Sequence, residues 1–205
     1  MPAGASRQPL SWLKHGIFLG ALTPLVSLAS RALDGSLDVN PIAQAENELG
    51  LAALILLVAS LACTPLRRLF GWTWPARIRR ELGLFAFFYA SLHVLVYLLI
   101  DQELDVLAIA ADVVKRPFIT LGFLAAVLLL PLALTSTSAS VRRLGFRRWT
   151  RLHQLAYVAA ALAAIHFVWR VKIDVAQPVS YAAVLAVLLG VRVAFWASAR
   201  RRGAA

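Results

Sequence analysis

The chain is poor in charge. Only 15% of its 205 residues are Asp, Glu, Lys or Arg, while 60% are hydrophobic; soluble globular proteins run at roughly 25% and 45–50%. A water-soluble domain of this size has no means of hiding so much apolar surface, so an ordinary soluble protein is excluded. Cysteine is nearly absent: Cys63 stands alone, so no intrachain disulfide can form and no thiolate metal site is suggested. It reads as a small apolar residue at a helix end. Acidic residues are scarce too, 10 against 21 Lys and Arg, for a net charge of +11. In a soluble protein that balance points to nucleic acid. Here the basic residues fall in short clusters between apolar runs, so no nucleic-acid partner is expected. No Gly/Ser-rich linker, extramembrane domain or internal repeat is evident, and the first apolar run reads as a retained span rather than a cleaved signal.

What the chain does have is long apolar runs. About 20 residues at 1.5 Å rise cross a 30 Å hydrocarbon core. Six such runs are read, over 12–33, 48–64, 82–100, 117–135, 150–169 and 178–197. The expected fold is therefore all-α, a polytopic membrane helix bundle of about six transmembrane helices forming one domain over residues 1–205, with membrane lipid as its solvent. Pro117 and Pro178 suit first-turn positions, whereas Pro24 and Pro131 lie inside spans and predict kinks or early ends.

Loop charge gives an orientation. Arg7 and Lys14 precede the first span, and basic clusters follow in the second loop (Arg67, Arg68, Arg77, Arg79, Arg80), the fourth (Arg142, Arg143, Arg147, Arg148, Arg151) and the tail (Arg200, Arg201, Arg202). The third loop is mainly acidic, with Asp101, Glu103, Asp105 and Asp112. The positive-inside rule then places both termini in the cytoplasm, N-in/C-in. Trp12, Trp72, Trp74, Trp149, Trp169 and Trp196 fall near span ends and read as an interfacial aromatic belt.

Ionisable groups inside a bilayer are costly and point to function. Of the four histidines, His15 lies at the start of the first span and reads as an interfacial, snorkelling side chain. His93 and His166 fall at comparable depth in the third and fifth spans, an arrangement that suits two axial imidazoles holding one haem iron between helices. The alanine-rich run before His166 would let a flat macrocycle approach the backbone, and Phe85, Tyr89 and Tyr97 would wall one side of it. His153 lies 13 residues before His166, about 20 Å along the axis and roughly 140° around an ideal helix. A straight helix would turn it toward a different neighbour, as a second redox position.

Residues 79–101 (RRELGLFAFFYASLHVLVYLLID) and 147–169 (RRWTRLHQLAYVAAALAAIHFVW), the basic loop leading to the latter and the six-span length together resemble the MsrQ family of the ferric-reductase-like transmembrane group. That resemblance implies a b-type cytochrome of the bacterial inner membrane, multi-pass, with one haem b and a second as an alternative, held through His93, His153 and His166. It also implies FMN as a cofactor. Electrons would come from the quinone pool or a cytoplasmic flavin reductase. They would leave to a periplasmic MsrP-like molybdopterin subunit that repairs methionine sulfoxide in oxidised proteins. The chain would be the electron-carrying half and not the site of sulfoxide reduction, so no catalytic residue is assigned. Many members of the wider group carry a second histidine 13 or 14 residues before the one matching His93; here Arg80 and Arg79 stand there. An arginine can pair with a haem propionate but is a poor iron ligand. Two alternatives stand beside this reading: a haem-containing ferric or quinone reductase, and, from a different class, a non-haem proton-coupled transporter whose histidines relay protons.

Overall fold

The computed structural model describes residues 11–203, with side chains from Leu13 to Arg201; Arg7, the side chain of Trp12 and Arg202 lie outside them. Regular structure among the described residues is helical throughout. The order is α1 (Ser11–Leu33), α2 (Pro41–Phe70), α3 (Pro75–Val96) running on through a π-helical turn (Tyr97–Asp101), α4 (Val106–Lys115), α5 (Pro117–Leu134), α6 (Ser138–Leu144), α7 (Phe146–His153), α8 (Leu155–Arg170) and α9 (Ala176–Gly203). Six stretches are long and apolar enough to cross a membrane: Leu13–Leu33, Pro41–Phe70, Pro75–Asp101, Pro117–Leu134, Phe146–Arg170 and Ala176–Arg201. The expected six-span helical architecture is therefore present, but several helices overrun their apolar windows. The second begins at Pro41 rather than 48, because Asn40 caps it by accepting from the Ala43 N–H and Pro41 occupies its first turn. It ends at Gly71, whose φ of 72° closes the helix. Hydropathy locates apolar side chains; caps locate helix ends.

Helices α2, α3, α5 and α8 close a four-helix centre, with α1 laid against α2 and α3, and α9 against α8 and α2. The core is built from leucines and alanines, with Leu61, Ala86, Ala159 and Ala160 almost wholly buried. Small residues at such contacts let backbones approach closely, which is how helices gain packing energy in lipid. Leu124, Val127, Leu130, Val158 and Val187 point outward and are exposed, as lipid-facing positions should be. Six spans bring Ser11 and Gly203, the two ends of the described residues, to one side of the bundle, the terminal side. The far side carries the α1–α2 loop, the π-turn with α4, and the α8–α9 loop.

Two internal prolines are answered by polar side chains from other helices. After Pro24, the buried Tyr89 hydroxyl accepts from the Leu25 N–H at 3.3 Å and donates to the Ala21 carbonyl, the two groups an unbroken helix would pair with each other. Phe85 likewise meets Phe18 of α1, ring centroids 5.4 Å apart. The expectation that Phe85 and Tyr89 wall a ring beside His93 is thereby corrected; they face α1, and only Tyr97 of the three turns to the histidine cleft. Pro65 of α2 has no N–H to offer the Leu61 carbonyl. Arg192 of α9 supplies the missing donor at 2.7 Å, and also donates to the Tyr157 hydroxyl at 2.6 Å. A cation inside an apolar span is costly unless it is paired; here it mends a helix.

Candidate functional site: two imidazoles across a helical cleft

His93 on α3 and His166 on α8 face one another across the four-helix centre, ring centroids 6.3 Å apart and planes at 74°. Each ring is held in the same way. His93 Nδ1 lies 2.9 Å from the Glu46 carbonyl oxygen of α2, and His166 Nδ1 lies 2.7 Å from the Phe118 carbonyl oxygen of α5. A carbonyl oxygen only accepts, so each Nδ1 is the protonated donor and each Nε2 keeps a bare lone pair. One helical turn beyond each carbonyl stands a glycine. A Cβ on Gly50 would lie 3.2 Å from His93 Nδ1, and one on Gly122 would lie 3.0 Å from His166 Nδ1. Only glycine lets the imidazoles approach the backbone this closely.

The two halves repeat. Glu46 and Gly50 present His93, and Phe118 and Gly122 present His166, over chain separations of 47 and 48 residues. Two residue types at matching offsets leave no periodicity for sequence comparison to detect, so the repeat was missed. The glycines were missed for a related reason: a helical glycine in an apolar run ordinarily marks helix packing, and nothing local says that a histidine lies against it.

The cleft extends to both sides of the imidazole pair. Toward the bundle centre it is lined by Leu54, Leu57, Ala90, Ala125 and Leu129; toward the far side Val94, Phe118 and Phe123 are joined by the polar and charged Glu46, Tyr97, Asp101, Arg116 and Arg170. Of the alanine-rich run before His166, only Ala163 reaches the cleft. Ala159, Ala160 and Ala164 are buried in helix packing instead. Among the described residues no group of three or more His, Cys, Asp or Glu could cage a metal ion. Two imidazoles with free Nε2 atoms therefore suit a metal that brings its own in-plane ligands.

A second cavity of about 570 Å³ opens toward the terminal side, lined among others by Arg79, Arg80, Gly83, Ser136, Trp149 and His153. It shares Leu57 and Leu129 with the histidine cleft, so the two spaces are neighbours across a pair of leucines. The fifth span is not one straight helix: at Gln154 the bonds Gln154 N–H to Arg151 O and Tyr157 N–H to Gln154 O tighten to three-residue steps. This overwinding separates α7 from α8. His153 and His166 consequently both meet α5, at its opposite ends, which corrects the expectation of different neighbours.

His153 nevertheless has a different setting from the pair. It stacks on Trp149 at 4.0 Å, and its Nε2 lies 3.1 Å from the Thr135 hydroxyl, which itself donates to the Pro131 carbonyl. Trp149 donates its indole N–H to the Thr135 carbonyl at 2.9 Å. It lines the cavity rather than joining an interfacial belt, whereas Trp72, Trp74, Trp169 and Trp196 are exposed as expected. Arg80 donates from Nε to the Ser136 carbonyl at 2.6 Å. His15 is exposed on α1 and lies outside the lining of these cavities. The structure thus brings His93 and His166 together, and groups His153 with Arg80 elsewhere.

A six-span bundle with imidazoles from two helices opposed inside it belongs to a known class. Residues 49–164 match the family model described as the ferric reductase like transmembrane component, so the chain is a ferric-reductase-like membrane protein. It is 54% identical over 180 residues to a Deinococcus radiodurans protein called the protein-methionine-sulfoxide reductase heme-binding subunit MsrQ, covering 88% of this chain and 89% of the relative. Proteins of the same name from Rhodospirillum rubrum and Ralstonia nicotianae are 49% and 46% identical, over 92% and 98% of this chain and 91% and 94% of theirs. The chain belongs to the MsrQ family.

Proposed function

We propose that this protein is a b-type cytochrome, the electron-carrying membrane subunit of a methionine sulfoxide reductase system, with haem b held between His93 and His166. The observation that carries the reading is the opposed pair of imidazoles, each with Nδ1 spent on a backbone carbonyl, each against a glycine, and each with Nε2 free. The name shared by the relatives, a heme-binding subunit, agrees with that donor set.

When bound, haem supplies a one-electron carrier inside the bilayer. The rest belongs to the chain. The Glu46 and Phe118 carbonyls fix the tautomer of each ring and raise its basicity. Leu54, Ala90, Ala125 and Leu129 exclude water from one side of the cleft. The second cavity, with His153, Arg80 and Arg79, is the place for a second redox group, a further haem or FMN. Its arginines would receive carboxylate or phosphate oxygens. Basic clusters on the terminal side favour an N-in/C-in orientation in a bacterial inner membrane. Electrons would then enter from the quinone pool or a cytoplasmic flavin reductase at the terminal side, and leave at the far side to a periplasmic MsrP-like molybdopterin subunit.

The test is a reduced-minus-oxidised spectrum with cofactor quantitation on the purified protein. Wild type should show b-type Soret and α bands. His93→Ala and His166→Ala should each lose the haem of the central cleft, and His153→Ala should keep it while slowing its reduction by a flavin donor. Absence of b-type bands from wild type, or full retention in both ligand variants, would overturn the reading.

A further inference from the structure

The histidine cleft has two unlike ends, and one cation at the end that carries charged residues forms no salt bridge. Arg170 follows His166 by one helical turn on α8 and lies against the cleft on both sides of the imidazole pair. Its Nη2 donates to the Asn47 side-chain oxygen, a neutral group, and among the described residues Arg170 forms no ion pair. Arg116, the other cation there, is neutralised by Asp112 at 3.1 Å. The Glu46 side chain lines the same end and attracts Arg170 without bridging to it, its Oε1 buried and without a hydrogen-bond partner. A half-buried guanidinium next to a cavity stays charged and seeks an oxyanion. At the other end of the cleft, Leu54, Leu57, Ala125 and Leu129 offer only hydrocarbon.

From this asymmetry we infer that Arg170 is the carboxylate anchor of the cleft, and that it gives the macrocycle a single sense of insertion. The inference rests on the haem reading. Haem b carries both its propionates on one edge and its vinyl groups elsewhere on the ring. The propionate edge belongs with Arg170 on the far side, where a guanidinium can receive a carboxylate through two parallel N–H donors. The vinyl-bearing edge belongs against Leu57 and Leu129. Those two leucines also line the second cavity, so this sense of insertion turns the conjugated ring, and not its carboxylates, toward the neighbouring site. Arg170 is a positioning residue: it holds the group's periphery and leaves the metal to His93 and His166. A neutral amide at the position would leave a propionate in the cleft without its counter-charge, which disfavours the reduced, more negative state of the haem and lowers its midpoint potential.

The experiment uses the full-length protein, produced under haem limitation and titrated in detergent or nanodiscs. Two probes are compared by Soret absorbance: haem, and iron protoporphyrin IX dimethyl ester, in which both carboxylates are capped. Wild type should bind the ester at least about tenfold more weakly than haem, the factor a charge-assisted hydrogen bond supplies. Arg170→Gln should weaken haem by a similar factor, leave ester binding unchanged and lower the haem midpoint potential, with Arg170→Lys falling between. Equal wild-type affinity for the two probes would overturn the proposal, and so would an Arg170→Gln loss of the same size for both. Should the glutamine variant fold poorly, Arg170→Lys carries the same comparison, and a lysine variant that separates the two probes as wild type does would overturn the bidentate role of Arg170. A wild type that develops no b-type Soret band would sink the haem reading itself, a different result from a Soret band indifferent to Arg170.

Discussion

Gly122 offers the sharpest test of the cleft, because the structure sets two effects of one methyl group against each other. In Gly122→Ala the new Cβ would stand 3.0 Å from both Cε1 and Nδ1 of His166 and 3.4 Å from Cγ. Ordinary contacts between such atoms lie at about 3.5–4.0 Å, so the ring must retreat by about half an ångström. It has little room to do so, being tied through Nδ1 to the Phe118 carbonyl at 2.7 Å and, with haem in place, through Nε2 to iron. Overpacking of this kind costs about 1–3 kcal/mol, which corresponds to between about fivefold and about 150-fold weaker haem binding if it falls on the bound state. The same substitution favours the helix itself by up to about 1 kcal/mol, because alanine loses less backbone entropy than glycine. The expected signature is therefore uneven: haem affinity falls, while the haem-free protein, whose His166 ring is tied only at Nδ1, loses less thermal stability because the helical gain offsets part of the cost. Gly50→Ala, with its closest approach at 3.2 Å to His93, should show a milder version. Gly190→Ala is the control, since nothing lies within 4 Å of its Cβ position. Haem titration by Soret absorbance, together with thermal denaturation of the haem-free protein, measures both sides. Wild-type haem affinity in Gly122→Ala, or an equal loss in Gly190→Ala, would refute the reasoning.

Two further substitutions address the proline sites. Tyr89→Phe removes the hydroxyl that serves both Leu25 N–H and the Ala21 carbonyl, and should destabilise the bundle by about 1–2 kcal/mol; because Tyr89 faces α1, the haem spectrum should not change, and a shifted Soret band would contradict that placement. Arg192→Gln should cost about 1–3 kcal/mol by leaving the Leu61 carbonyl and the Tyr157 hydroxyl short of donors. Chemical or thermal unfolding in detergent reads the loss, and restoring the missing N–H with Pro65→Ala in the same background should return part of it.

Much of this architecture is legible in the residue order, and particular positions show why. The six crossings follow from runs of apolar side chains measured against a uniform solvent, a property each run has by itself. Pro117 opens α5 and Pro24 marks a disturbed α1 because proline acts on its own backbone. His93 and His166 stand out because any imidazole at membrane depth is conspicuous, whatever surrounds it. By contrast the surroundings of Trp149, Tyr89 and Phe85 differ from those the sequence suggests, since an aromatic residue reads the same in a belt, a core or a cavity wall. Arg192 carries no signal in the sequence, because its partner is a carbonyl freed by a proline more than a hundred residues earlier.

The sequence alone thus determined that the chain is a helical membrane bundle with costly imidazoles buried in it, since bilayer thickness and the cost of desolvation act on each segment separately. Tertiary structure alone decided which helices close around the histidines. It decided that Gly50 and Gly122 make room for them, that the overwound step at Gln154 turns His153 back to α5, and that Arg170 shares their cleft. Those are pairings between distant segments, and they arise only when four helices pack to one register.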